Sequence, residues 1–230
     1  MRKHIYTYFQ EIISKSINPL VFEFGAFDGQ DTNNLLNVLK ESKEEFTFHT
    51  FEPIYDYCKL IESNCKAHKE NFVLHQIAIG AVDKQEEVFY RSFGSQNRSA
   101  YPASSSLKKP TQIKFDFWRD IQFSESVCQV ITFDTFIKEN NLENRIIDFV
   151  WADIQGAEID LIKGGEKTFE NVKYAFLELM NYEVYEGCMS SQEELFHLLP
   201  QFELVDVFYE VMPNGSSEPF NVLIKNKNIA

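Results

Sequence analysis

The sequence predicts an α/β fold built on an open, mostly parallel sheet with helices on both faces. Three observations carry that expectation. Short, nearly continuous apolar runs such as Leu20-Val21-Phe22-Glu23-Phe24 suit strands buried on both faces. They alternate with segments whose apolar residues recur at helical spacing, the pattern of βαβ units. Two late strands joined through Pro213-Asn214-Gly215 read as an antiparallel hairpin closing the sheet. At 230 residues the chain fits one domain, residues 1–230, with an insertion or lid loop at about 92–127.

The elements follow in order. Ile5, Tyr8, Phe9, Ile12 and Ile13 place a helix over Ile5 to Ser16, which Asn18-Pro19 stops ahead of the first strand. Gly25-Ala26-Phe27-Asp28-Gly29 turns the chain, and Asp31 or Thr32 is positioned to cap a helix carrying Leu35, Leu36 and Leu39. A strand over Phe46 to Phe51 ends in Glu52-Pro53. A helix near Tyr55 to His68 and a third strand, Phe72 to Ile79, come next. Glu87 to Arg91 reads as a strand, whereas Ser92 to Pro110 has neither periodicity and is expected to be a lid or substrate loop, with a plain surface insertion as the alternative. Cys128 to Thr132, a short helix to Asn140 and the strand Ile146 to Ala152 restore order. The turn Asp153 to Glu158 then opens a helix with Ile159, Leu161 and Ile162. Val172 to Leu179 is a strand, Ser191 caps a helix, and Phe202 to Tyr209 with Phe220 to Lys225 form the hairpin.

Charge and composition narrow the functional classes. With 35 acidic against 22 basic residues the formal charge is −13, which opposes a nucleic-acid partner. Every apolar run breaks before ~18 residues, so no membrane span is expected, and the polar residues Tyr6, Gln10 and Glu11 disfavour a signal peptide. A cytoplasmic location follows as an expectation. Cys58, Cys65, Cys128 and Cys188 show no paired spacing and read as reduced structural thiols.

Two local signals carry chemistry. Glu23-x-Gly25-x-x-x-Gly29 sits where the first strand hands over to the first helix, and glycines there let backbone approach a ligand. It is neither the Gly-x-Gly-x-x-Gly fingerprint nor a P-loop, so the dinucleotide and triphosphate readings lose their main support. Glu52 stands at the carboxyl end of the second strand, where an acid accepts hydrogen bonds from ribose hydroxyls. Basic residues Arg91, Arg98, Lys108 and Lys109 gather in the middle of an acidic chain and suggest a local pull on an anionic acceptor, with a solvated loop as the alternative. Tyr101, Phe115, Phe117 and Trp118 could stack on a sugar face, although packing is the commoner fate. His75 reads as a core imidazole.

At this point the chain resembles the FkbM family of S-adenosylmethionine-dependent O-methyltransferases, over about residues 18 to 180. The blocks are Val21-Phe-Glu-Phe-Gly-Ala-Phe-Asp-Gly-Gln30, Phe51-Glu-Pro53, Ala78-Ile-Gly80, Thr132-Phe-Asp134 and Asp148-Phe-Val-Trp-Ala-Asp-Ile-Gln-Gly-Ala-Glu158. The departures are Glu23 where Asp is frequent, Trp151 where Lys is frequent, and Gln155 where Glu is common. The resemblance implies a Rossmann-like class I methyltransferase fold, with a mostly parallel seven-stranded sheet. It implies that Glu23, Gly25, Ala26 and Gly29 line the methionine and ribose part of S-adenosyl-L-methionine, that Glu52 holds the ribose, and that Ala78 and Ile79 edge the adenine.

Asp153 would then face the transferring methyl group. It is the first candidate for the general base and Glu158 the second, with a role at the helix N-terminus as the alternative for each. Gln155, Ser105, Ser106 and Lys108 are the substrate candidates, and the acceptor is a carbohydrate or another small molecule. A divalent cation such as Mg²⁺ on Asp153 is the less favoured arrangement. Two other readings stand beside this one: a nucleotide-sugar or NAD-dependent enzyme on a related open sheet, and a non-catalytic cofactor-binding module.

Overall fold

A computed structural model of the chain describes residues 2–94, 103–111, 121–180, 182–188, 191–211 and 217–230; for residues 2–4, 210–211 and 217–220 it describes the backbone alone. The order is α1 (Arg2–Ser14), β1 (Leu20–Phe24), α2 (Gln30–Ser42), β2 (Thr47–Phe51), α3 (Tyr55–Asn64), β3 (Val73–His75) and β4 (Ala78–Ile79). There follow β5 (Lys84–Gly94), β6 (Ile121–Ile131), α4 (Phe133–Glu139), β7 (Ile147–Ala152), α5 (Glu158–Lys163), β8 (Val172–Glu178), α6 (Gln192–Leu198), β9 (Phe202–Val211) and β10 (Ser217–Asn226).

The main sheet has seven strands in the order β3-β2-β1-β7-β8-β10-β9. Strands β3 to β8 in that row are parallel, and β10 is antiparallel to both β8 and β9. The chain starts at the centre, winds outward through β2 and β3, then returns to the other side of β1. The order therefore reverses between β1 and β7, and a crevice opens there beyond the carboxyl ends of the strands. A second sheet, β4-β6-β5, pairs β6 parallel to β4 and antiparallel to β5.

Alternation along β1 divides the core. Leu20, Phe22 and Phe24 face α4 and α5 and pack with Phe51, Phe133, Phe136, Leu161 and Phe169. Val21 belongs to the opposite layer with Ile5, Phe9, Leu35, Leu36, Leu39 and Phe149. Phe22 has ring contacts with Phe24, Phe51, Phe133 and Phe136, so several of the 22 phenylalanines build one aromatic layer under the crevice.

Several boundaries differ from the expectation for identifiable reasons. Gly29, in the left-handed region at φ 78°, occupies the N-cap position of α2. Asp31 and Thr32 are inside the helix, where Tyr6 Oη donates to Asp31 and Thr32 Oγ1 donates to Glu23. The third expected strand is two: β3 pairs with β2, while β4 leaves the main sheet to pair with β6. The loop foreseen at 92–127 is shorter at both ends. Ser92 to Gly94 continue β5 and Ile121 to Val127 belong to β6, because the two form a long antiparallel ladder. Arg98, Tyr101, Phe115, Phe117, Trp118 and the turn Pro213-Asn214-Gly215 lie outside the described residues. All four cysteines are free thiols, and among the described residues no helix is long and apolar enough to cross a membrane.

His75 joins the aromatic layer as expected, but not alone. Its Nε2 is 2.9 Å from His49 Nδ1, and both rings pack against Phe136. Burial pushes both imidazoles down to about 4. Between pH 4 and 6.5 the unfolded chain therefore binds more protons here than the folded one, so the pair's contribution to stability falls as pH drops through that window. The expected slope is at most about 1.4 kcal/mol per pH unit for each ring. A His49→Phe/His75→Phe variant should gain on the wild type from pH 6.5 to 4 and run parallel to it above pH 7 in urea unfolding. A constant difference across the whole range would exclude this linkage.

Candidate active site

The turn after β1 is fixed by the ends of the two neighbouring strands. The amides of Gly25 and Ala26 donate to the Phe51 carbonyl at 3.1 and 3.2 Å, the Gly29 amide donates to the Ala26 carbonyl at 2.8 Å, and the Asp153 amide donates to the Phe24 carbonyl at 3.0 Å. Gly25 has φ 88°, and a Cβ there would stand 1.9 Å from the Asp153 carbonyl oxygen. Phe27, at φ 49°, is the residue of this turn that adopts the left-handed region with a side chain. Its amide is held by Glu52 Oε2 at 3.0 Å, while Glu52 Oε1 accepts from the Ile54 amide at 2.9 Å. Glu52 is 5% exposed, and burial pushes its carboxyl up to about 8 despite both bonds.

Beyond β7 the chain makes a second tight turn. Gln155 has φ 53° and Gly156 φ 89°. Glu158 folds back so that its Oε1 accepts from the Ile154 amide at 2.8 Å, and burial raises its carboxyl above the ordinary range. The Gln155 amide nitrogen donates to Asp153 Oδ1 at 2.7 Å and to Glu178 Oε2, at the end of β8, at 2.9 Å. Its carbonyl side, Oε1, accepts from Tyr185 Oη at 3.2 Å.

Between these two turns lies a cleft of about 840 Å³, open to solvent. Of the residues the sequence singled out, Gly25, Ala26, Glu52, Ala78, Ile79, Ser105, Asp153 and Gln155 line it. Five do not. Glu23 lies behind the turn on the α1 and α2 side, where Oε2 accepts from Thr32 and Thr50 at 2.7 and 2.6 Å. Its Oε1 is buried without a hydrogen-bond partner, and burial raises the carboxyl to about 7. Gly29 packs against α3, and Glu158 is turned inward. Ser106 donates to the Gln155 backbone carbonyl at 2.7 Å, and Lys108 pairs with Asp160 at 2.7 Å.

The sequence reading did not foresee Phe27, Asp28, Asp31, Tyr57, Phe89 and Leu107 in the lining. Tyr57 lies on α3, and nothing in sequence brings Phe89 of the second sheet and Leu107 to the cleft. The lining holds the carboxylates Asp28, Asp31, Glu52 and Asp153, and none of its described residues is Lys, Arg or His. Of the described cations expected to draw an anionic acceptor, Lys108 pairs with Asp160 and Lys109 with Glu186 at 2.9 Å, while Arg91 pairs with Asp56 at 2.8 Å and lies over the ring of Tyr57, 5.5 Å from its centre, beside the cleft. Among the described residues no three His, Cys, Asp or Glu side chains gather as a metal-holding group.

This strand order, with its crevice between β1 and β7, is that of the class I methyltransferases. The methyltransferase FkbM domain profile matches residues 23–208, and the chain belongs to that family. It is 27% identical over 218 residues to the 2-O-methyltransferase NoeI of Sinorhizobium fredii (strain NBRC 101917 / NGR234), covering 92% of this chain and 81% of NoeI. In fold it is similar to the crystal structure of methyltransferase FkbM from Methylobacillus flagellatus KT, with a TM-score of 0.53, 12% identity and 90% of this chain covered. It is also similar to the DszA carbon methyltransferase, with a TM-score of 0.51, 10% identity and 94% covered. The chain spans 43% and 49% of those two structures, so they bear on the fold alone.

Proposed function

We propose that the protein is an S-adenosyl-L-methionine-dependent O-methyltransferase acting on a hydroxyl of a carbohydrate or other small molecule. The observation that carries this reading is the cleft's acidity: Asp28, Asp31 and Asp153 line it beside Glu52, whose carboxyl is raised to about 8 and so is largely protonated in the free protein at neutral pH, and none of its described lining residues is Lys, Arg or His. NAD and nucleotide sugars bring a pyrophosphate that such a lining repels, whereas a sulfonium and an ammonium are attracted. The glycine turn supports the same fit, since Gly25 and Ala26 present backbone to the cleft.

When bound, S-adenosylmethionine supplies an electrophilic methyl group. Glu52, fixed by two backbone amides at the strand end, would accept from the ribose hydroxyls. Ala78 and Ile79, with Phe51 and Phe89, offer the apolar slot for the base. Asp153 would take the proton of the acceptor hydroxyl as that oxygen bonds to the methyl carbon and the methyl–sulfur bond breaks, leaving S-adenosylhomocysteine. Ala103, Ser105 and Leu107 line the opposite wall, which suits the middle segment to acceptor binding. The family membership and the 2-O-methyltransferase relative support an alcohol acceptor.

Calorimetric titration with S-adenosylmethionine, S-adenosylhomocysteine, NAD and UDP-glucose tests the reading. Binding confined to the first two is expected, and binding of NAD or UDP-glucose alone would replace it. The same titrations test Glu52. In the free protein burial holds its carboxyl up at about 8, while accepting from ribose hydroxyls as well as from two backbone amides favours the ionised form. S-adenosylhomocysteine affinity should therefore rise with pH up to about 8, level off above it, and be accompanied by proton release at neutral pH. Glu52→Ala should lose about 1–3 kcal/mol of binding together with this pH dependence. Unchanged affinity and no proton release would remove Glu52 from the site.

A further inference from the structure

We propose that Glu178 and Tyr185 are positioning residues for Asp153, acting through the side-chain amide of Gln155. This rests on the methyltransferase reading above and names groups that reading leaves idle. Gln155 stands in the left-handed region at φ 53°, a conformation that is strained for a residue with a side chain and persists only when surroundings impose it. Its surroundings account for its side-chain amide and its backbone carbonyl. Nε2 donates both to Asp153 Oδ1 and to Glu178 Oε2, Oε1 accepts from Tyr185 Oη, and the backbone carbonyl accepts from Ser106.

The chemistry of an amide makes this arrangement directional. A nitrogen that donates to two acids presents one proton to each, and a flipped amide would turn its oxygen toward both of them. Asp153 is thereby held with one carboxylate oxygen committed to Gln155, which sets the direction of the other. Glu178 is 5% exposed and Tyr185 is fully buried, so neither reaches the cleft and both act at one remove. The single Tyr185 hydroxyl proton is shared between Gln155 Oε1 at 3.2 Å and the nearer Ser104 carbonyl at 2.7 Å. The segment walling the cleft and the acid at its floor thus share one hydrogen-bond network, in which loss of one member weakens the rest.

The test uses Glu178→Ala, Glu178→Gln and Tyr185→Phe in the full chain. S-adenosylhomocysteine release from S-adenosylmethionine is followed with a panel of methyl glycosides. Glu178→Ala is expected to lower kcat about 10–100-fold with KM for S-adenosylmethionine unchanged. Glu178→Gln, which keeps an acceptor for Gln155, should stay within about threefold of wild type, and Tyr185→Phe should fall between the two. In an Asp153→Asn background Glu178→Ala should cost nothing more, which a general structural defect would not reproduce. A readout independent of turnover is the Gln155 side-chain amide in ¹⁵N spectra: its protons should exchange slowly in the wild type and fast in Glu178→Ala and Tyr185→Phe. Unaltered amide exchange in those two variants, or additive losses in the Asp153→Asn background, would overturn the proposal. A wild type that fails to bind S-adenosylhomocysteine would instead count against the methyltransferase reading, with the amide signal still deciding whether the network exists.

Discussion

Replacing Gly25 by alanine is expected to cost about 3–5 kcal/mol of stability, at the upper end for one methyl group, and to remove cofactor binding with it. Two effects add. At φ 88° an L-residue pays steric strain of about 1–2 kcal/mol. The new Cβ would also stand 1.9 Å from a backbone oxygen, that of Asp153, which has no flexible end to swing away. Relief requires the tips of β1 and β7 to separate, breaking the bond from the Asp153 amide to the Phe24 carbonyl and displacing the acid. Gly187 is the control. It too has a positive φ, 67°, but its Cβ would meet nothing within 4 Å, so Gly187→Ala should cost only about 1 kcal/mol. Urea unfolding and S-adenosylhomocysteine calorimetry on both variants read the difference. A Gly25→Ala protein as stable as Gly187→Ala would show that the close approach of the two strand ends is unimportant.

The same pair of turns shows what could be read in the sequence. Local rules located Gly25, because a strand followed by a glycine turn and a helical repeat is written in consecutive residues. They located Glu52 and Asp153 for the same reason: each is the acid that ends an apolar run. Local rules could not say which way a side chain points. Glu23 and Gly25 are two residues apart, yet alternation along β1 sends Glu23 to the α1 and α2 layer, where Thr32 and Thr50 hold it. Glu158 is four residues beyond the Ile154 amide that it closes on, a local bond that competes with any role in the cleft. Tyr185 on Gln155, and Phe89 and Leu107 in the wall, are products of tertiary packing between segments far apart in sequence. The basic residues close in sequence are drawn apart in the fold, since Arg91, Lys108 and Lys109 each pair with an acid on another element in a chain rich in acids.

Asp153→Asn is expected to lower turnover about 10²–10⁴-fold while leaving S-adenosylhomocysteine affinity within about twofold of wild type. The substitution is chosen for what it keeps. Asparagine has nearly the same volume, and its Oδ1 can still accept from Gln155 Nε2, so the turn after β7 retains its geometry. What it loses is the negative charge needed to take a proton from an alcohol, whose own acidity is far too low to ionise at neutral pH. Nearby acids do not substitute readily. Glu158 is committed to the Ile154 amide, and Glu178 is separated from the cleft by Gln155. EDTA separates the two ways in which the charge could act: a carboxylate base is indifferent to it, whereas a cation held by Asp153 would be lost and activity restored by added Mg²⁺. Full turnover in the Asn variant would reduce Asp153 to a structural cap of the second turn. The search for the base would then move to the segment between Ser92 and Pro110, of which the described residues Ala103, Ser105 and Leu107 line the cleft.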